Sequence, residues 1–260
     1  MFGGTESDFE APGVWRFRLM GVPVSVHPLF WLVGLFFSPF YCQTGNTRDL
    51  LIAMTAWMAA WFAAVLTHEL GHALTIRKLC GSRPWITLFG FGGVTQYYDA
   101  DYRSGPSTLR LILTSFAGPA AGFLVAGLIL LIYALCGSGI NVLMQSFGPV
   151  PVPIILPLWV SEGLFNDGPL LLLALNVFVF SMIWTSLFWG LLNLLPILPL
   201  DGGNIAMAIL SALDPRSGRY WTHLLSALSA GLIAFILVRQ GWFIAAVLFA
   251  FLAVDNLRKL

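Results

Sequence analysis

His68, Glu69 and His72 stand in the pattern His-Glu-Leu-Gly-His, inside an apolar run from Leu50 to Ile76. On a helix, four-residue spacing puts the two imidazoles on one face, one turn apart, where both can ligate one metal ion. Glu69 lies beside them, placed to act as general base on a water that the metal activates. The pattern is short and recurs by chance in soluble proteins, but within a hydrophobic span it is far more specific. Keeping a carboxylate at bilayer depth costs roughly 2.5–3.5 kcal/mol on insertion scales, so polar groups held there mark function. A pair of core histidines bonded to neighbouring helices would leave Glu69 unexplained. The run contains no Lys or Arg to pair with Glu69, and the charge of a zinc ion supplies the better reason for an ionised carboxylate. These residues form half of a site for zinc-assisted hydrolysis, with one Zn2+ per chain.

Two histidines do not complete such a site, which usually has three protein ligands and an open position. Asp201 is the candidate third ligand. It sits in Asn193-Leu-Leu-Pro196-Ile-Leu-Pro199-Leu-Asp201-Gly-Gly, where two prolines and two glycines unwind a helix and bend the chain. Its other reading is an N-cap for a helix over 202–213. Depth supports the pairing with the histidines: His72 lies five residues, about 7–8 Å, before Arg77 at the end of its helix. Asp201 follows a span that ends on that same side. Both stretches meet near one plane, slightly inside the cytoplasmic surface.

These residues need helices to carry them, and the composition supplies little else. The chain has 260 residues, 58% hydrophobic and 10% charged, with a mean hydropathy of +0.85, where a soluble domain carries about 25% charged residues. It reads as an all-α polytopic membrane protein. Spans need about 20 apolar residues, and six candidates are found: Val24–Tyr41, Leu50–Arg77, Leu109–Leu135, Leu170–Leu192, His223–Val238 and Trp242–Val254. The last two form a tight helical hairpin. Arg16, Arg18, Arg77, Lys78, Arg83, Arg103, Arg110, Arg216, Arg219, Arg258 and Lys259 fall on one side, and Arg48 and Arg239 on the other. By the positive-inside rule both termini are cytoplasmic and the loop from Gly137 to Pro169, which has no Lys or Arg, faces outward. Its stretch from Pro149 to Pro157 is extended or interfacial. A net charge of +1 argues against nucleic-acid binding. The partners expected are the lipid bilayer and membrane-spanning protein substrates, with any regulatory membrane partner unidentified. The location is an integral, multi-pass one in a prokaryotic cell membrane.

Between the second and third spans the chain changes character. Pro84-Trp-Ile-Thr-Leu-Phe-Gly90-Phe-Gly-Gly93-Val-Thr-Gln-Tyr-Tyr98 is aromatic and β-branched and broken by glycines, which predicts a short membrane-associated β-hairpin turning at Gly90–Gly93. Such backbone is tolerated at membrane depth only where protein or a watery cavity covers it. It is either an interfacial aromatic loop or an edge strand that receives an extended peptide by strand addition, through Gly92, Gly93, Val94 and Thr95. Cys42, Cys80 and Cys136 show no paired spacing and read as apolar fillers. The first 20 residues have no long apolar core, so no cleavable signal is expected. No internal repeat or appended soluble domain is evident. One membrane-embedded domain therefore covers residues 1–260, with a core at about 50–203 and flanking helices at 24–41 and 223–254.

The two motifs, in this order and in membrane context, resemble those of the site-2 protease family of intramembrane zinc metalloproteases. Gly118-Pro-Ala-Ala-Gly122 is similar to that family's Gly-Pro motif, and Phe91-Gly-Gly-Val94 to its substrate-edge region. The resemblance covers about Leu50 to Gly203 and lacks the PDZ and CBS modules of some branches. It implies cleavage of peptide bonds within or beside transmembrane segments, in regulated intramembrane proteolysis, and a preceding cut by another protease. It also implies that the Asn193 amide donates to the oxyanion or holds the bound peptide, although a cap at the helix end before Pro196 competes. Gly118 and Pro119 allow close helix packing. His27 is an interfacial histidine or a transient extra ligand, and His223, beside Tyr220 and Trp221, an interface anchor.

Three rivals stand against a protease of this kind. A different metalloprotease class would take its third ligand from a later Glu, but Glu162 lies in the outward loop. A metal transporter would need polar groups through the outer leaflet, where the spans are almost wholly apolar. A catalytically inactive zinc-binding relative would typically have lost Glu69 or a ligand.

Overall fold

The computed structural model describes residues 13–38, 47–90, 92–97, 107–135, 140–147, 150–157 and 170–260. In chain order the elements are β1 (Trp15–Leu19), β2 (Val22–Val26), α1 (Pro28–Phe36), α2 (Thr47–Cys80), β3 (Trp85–Phe89) and β4 (Gly92–Gln96). Then come α3 (Thr108–Leu135), β5 (Ile140–Phe147), β6 (Val150–Pro157), α4 (Leu170–Asn193), α5 (Asp201–Leu213), α6 (Gly218–Arg239) and α7 (Phe243–Leu257). Cys42, Cys136, Arg103, Glu162 and most of the outward-loop expectation lie outside the described residues.

Among the described residues, four helices are long and apolar enough to cross a membrane: α2, α3, α4 and α6. The 34 residues of α2 extend about 50 Å, more than the roughly 30 Å of the hydrocarbon core. The protein is mostly helical, as expected, but among the described residues four of the six expected spans have full length. The helix α7 has 15 residues, and α1 has nine.

The helix expected from Val24 starts instead at Pro28, because the residues before it form a strand. Val22, Val24 and Val26 alternate onto one buried face, and β-branched residues at period two fit a pleated strand. Pro28 then takes the first helical turn, where its missing N–H is no loss. Upstream, Met20 and Gly21 both have positive φ, 51° and 81°, with Leu19 paired to Val22. That is the geometry of a two-residue hairpin turn matched to strand twist. This N-terminal hairpin was not expected from the sequence.

The strand order is β1-β2-β3-β4, with β2 and β3 parallel and the other pairs antiparallel. Thus the glycine-broken segment after α2 does form a hairpin, but as half of a larger sheet. The inner face of that sheet, with Ile86 and Leu88, packs into one core with Phe30, Trp57, Trp61 and Val65. Arg77 donates to the Met20 carbonyl oxygen at 2.7 Å, tying the β1–β2 turn to the end of α2. Two consequences matter for the site: α2 is the central helix, packed against both α3 and α4, and β4 is an end strand lying on it. The Pro-rich stretch 150–157 is strand β6, paired with β5, and so is extended rather than helical.

Candidate metal centre and its surroundings

His68 and His72 lie on one face of α2 and are buried. Asp201 is the first residue of α5, directly after the non-helical stretch Leu194–Leu200. Its competing reading as an N-cap is not seen: Leu200 holds the cap position, with no side-chain cap bond. The Gly202 and Gly203 positions explain how the stretch folds back. A Cβ on Gly202 would stand 2.1 Å from the Leu194 carbonyl oxygen, and one on Gly203 would stand 2.4 Å from the Leu198 nitrogen. Only glycine lets α5 begin this close to the backbone before it.

Three donor atoms converge from these two stretches. His68 Nε2 lies 3.1 Å from Asp201 Oδ2, His72 Nε2 lies 3.3 Å from the same oxygen, and the two Nε2 atoms are 3.2 Å apart. The Nδ1 atom of His72 is 2.7 Å from the Thr114 carbonyl oxygen. A carbonyl only accepts, so Nδ1 carries the proton and Nε2 presents its lone pair inward. A metal there takes Asp201 as the carboxylate and both histidines as neutral imidazoles. Tetrahedral coordination at about 2.0–2.1 Å sets neighbouring donors about 3.3 Å apart. The observed triangle has edges of that length. Among the described residues these three form the one His/Cys/Asp/Glu group that could hold a metal ion.

Glu69, one residue on, turns toward β4. Thr95 Oγ1 donates to Glu69 Oε2 at 2.7 Å and approaches the Glu69 carbonyl oxygen at 3.1 Å. Gly93 lies flat against the carboxylate: a Cβ there would be 2.5 Å from Glu69 Cγ. Trp189 of α4 closes on Gly92 from the other side, 2.6 Å from where its Cβ would be. Of the four strand residues singled out as peptide contacts, Gly92 and Gly93 admit neighbouring side chains and Thr95 engages Glu69. The Val94 side chain is exposed.

Gly118 does more than allow helix packing. A Cβ at Gly118 would lie 2.2 Å from His72 Nε2, so α3 leaves the space that the imidazole fills. A Cβ at Gly71, between the two histidines, would likewise stand 2.3 Å from the Ala117 carbonyl oxygen. Small residues thus let α2 and α3 touch backbone to backbone. Sequence reasoning missed Thr114, whose contribution is a backbone carbonyl and leaves no trace in residue type.

Three expectations fare differently. Asn193 Nδ2 donates to the Trp189 carbonyl oxygen, four residues back at 2.9 Å, so the bond it makes lies within its own helix. His27 stands at the start of α1 with its ring edge-on to Phe89, outside the cluster. The reading of His223 as an interface anchor is overturned: it is 4% exposed and bonded to Asn256. Its neighbours Tyr220 and Trp221 are the exposed rings.

Residues 56–237 match Peptidase family M50. The chain belongs to this family. A provisionally named zinc metalloprotease of Synechocystis sp., sll0528, is 28% identical over 199 residues, covering 74% of this chain and 42% of its own length. The zinc metalloprotease MJ0392 of Methanocaldococcus jannaschii is 26% identical over 200 residues, covering 75% of this chain and 44% of its own. The chain thus matches less than half the length of these relatives. The solved structure of a site-2 protease from Methanocaldococcus jannaschii shares the fold with a TM-score of 0.53 at 20% identity, over 94% of both chains.

Proposed function

We infer that this M50 member is a membrane-embedded zinc endopeptidase that cuts membrane-protein substrates within or beside a transmembrane segment. The observation that carries the reading is the triangle of His68, His72 and Asp201 donors, with edges of 3.1–3.3 Å. The names of the relatives as zinc metalloproteases support the choice of metal. When bound there, zinc supplies Lewis acidity, polarising a carbonyl and making water a stronger acid near neutral pH.

The remaining steps belong to the chain. His68, His72 and Asp201 would hold the ion. Glu69 takes the proton of the attacking water and passes it to the leaving amide nitrogen, while Thr95 fixes which carboxylate oxygen faces the reaction. A substrate helix has satisfied backbone bonds and must unwind before it can be cut. The outer edge of β4, from Gly92 to Thr95, offers backbone partners to such an extended segment by strand addition. Asn193, one turn beyond Trp189, has a second amide N–H for the oxyanion.

One membrane-embedded domain covers residues 1–260, with α1 and α7 as shorter helices flanking the four long crossings. Both termini and the metal site lie toward the cytoplasm, as the distribution of Lys and Arg supports. Regulated proteolysis of single-span proteins, following a first cut elsewhere, is the corresponding cellular role. Purified protein in liposomes with single-span substrates tests the reading. Wild-type protein is expected to cut and Glu69→Gln to retain zinc without cutting. Cleavage by Glu69→Gln at the wild-type rate would overturn the assignment of the base.

A further inference from the structure

The hairpin of α6 and α7 is apolar almost throughout, yet three buried polar side chains meet at one end of it. His223 and Ser226 lie on one face of α6, and Asn256 lies at the end of α7. Their exposures are 4%, 0% and 0%. Bringing such groups into an apolar interior costs free energy unless each finds a partner, and each does. The Asn256 amide is fully matched. Its Oδ1 accepts from His223 Nδ1 at 2.9 Å, and its Nδ2 donates to the carbonyl oxygens of Leu252 and Leu198, both at 2.9 Å. Turning the amide over would face its oxygen to two carbonyls, so the network fixes its orientation. Ser226 Oγ accepts from the Leu198 N–H at 3.0 Å.

Both backbone groups of Leu198 are therefore held by the hairpin. Leu198 lies three residues before Asp201, in the stretch that belongs to no helix or strand. Backbone there must find partners outside regular structure. Ile197, next to it, is fully buried in the hairpin's own core with Ala230, Ala234, Phe249 and Ala253. Leu200 N–H then donates to the Ile197 carbonyl oxygen at 2.8 Å, so the grip passes along the turn to the start of α5.

We propose that Asn256 and Ser226, with His223 holding the Asn256 amide in place, are positioning residues for the metal centre: Asn256 and Ser226 clamp Leu198 and thereby set where Asp201 presents its carboxylate. This rests on Asp201 being a ligand. The α6–α7 hairpin is then coupled to the metal, and linkage makes the coupling reciprocal. Zinc binding steadies the hairpin, and loosening the hairpin weakens zinc. A clamp that only stabilised the fold would show neither effect in the folded protein.

The test uses the full chain in lipid nanodiscs, with zinc affinity measured against a competing chelator and amide exchange followed in α6 and α7. Asn256→Leu is expected to bind zinc several-fold more weakly, a smaller loss than the roughly 10–100-fold that follows removal of a group bonded directly to a ligand. Ser226→Ala, which removes one bond, should shift affinity in the same direction by a smaller factor and settles the matter if Asn256→Leu does not fold. Zinc should slow exchange in α6 and α7 of the wild type and do so less in the variants. Wild-type zinc affinity in both variants, while Asp201→Ala loses zinc, would overturn the clamp and leave the ligand standing. Wild-type affinity in Asp201→Ala would remove the ligand and the clamp with it.

Discussion

Replacing Gly118 by Ala adds one methyl group, and the structure says where it goes. The new Cβ would lie 2.2 Å from His72 Nε2, 2.6 Å from Cε1 and 2.7 Å from Cδ2, whereas ordinary contact begins at 3.4 Å. The imidazole must therefore retreat by roughly 1 Å, or α3 must move away from α2 by a similar amount. Neither is easy. The ring is held on its far side by the Thr114 carbonyl oxygen at 2.7 Å, and α3 already meets Gly71 backbone to side. Metal sites tolerate about 0.2 Å in ligand position, so a displacement of this size removes one ligand in effect. Gly118→Ala is expected to fold, because alanine favours helix over glycine, yet to hold zinc at least about tenfold more weakly. Chelator competition and metal content of the purified protein measure this, with circular dichroism to establish folding. Folded Gly118→Ala with wild-type zinc affinity would show that the close approach of α3 to His72 does not govern the centre.

Other substitutions separate holding the metal from using it. Gly93→Ala drives a methyl into the Glu69 side chain, so kcat should fall by at least about tenfold while zinc content stays at one per chain. Unchanged turnover there would refute the contact. Thr95→Val removes the bond to Glu69 Oε2 and should lower kcat with little change in KM, and Thr95→Ser should restore it. A loss confined to KM would assign Thr95 to peptide binding instead. Gly202→Ala meets backbone, which cannot swing aside as a side chain can, so it should impair zinc binding as severely as Asp201→Ala does. Removal of zinc by a chelator should abolish cleavage reversibly.

Much of the site was legible because helices convert spacing into direction. A four-residue interval put His68 and His72 together without knowledge of anything else, and Pro196, Pro199, Gly202 and Gly203 announced a break in the chain before Asp201. What sequence could not supply was contact between elements far apart in the chain. Nothing in Gly118 says that it faces His72, and nothing in Thr95 says that its hydroxyl turns to Glu69 and not to a peptide. The N-terminal hairpin does have a signature in the sequence: Trp15-Arg-Phe-Arg-Leu19 and Val22-Pro-Val-Ser-Val26 alternate around Met20-Gly21. Apolar content weighed by length drew Val24 and Val26 into a helix that starts only at Pro28. His223 was misjudged for a related reason, since aromatic neighbours suggested an interface while Asn256, 33 positions on, supplied the buried partner.

X-ray absorption at the zinc edge on the purified full chain addresses the central claim most directly. In the wild type two imidazole nitrogens and one carboxylate oxygen should surround the ion at about 2.0–2.2 Å, and His72→Ala and Asp201→Ala should each lose that shell, either by losing the ion or by replacing the missing ligand with water. A sulfur ligand, a coordination shell unchanged by both variants, or a chain that takes up no zinc would contradict the account.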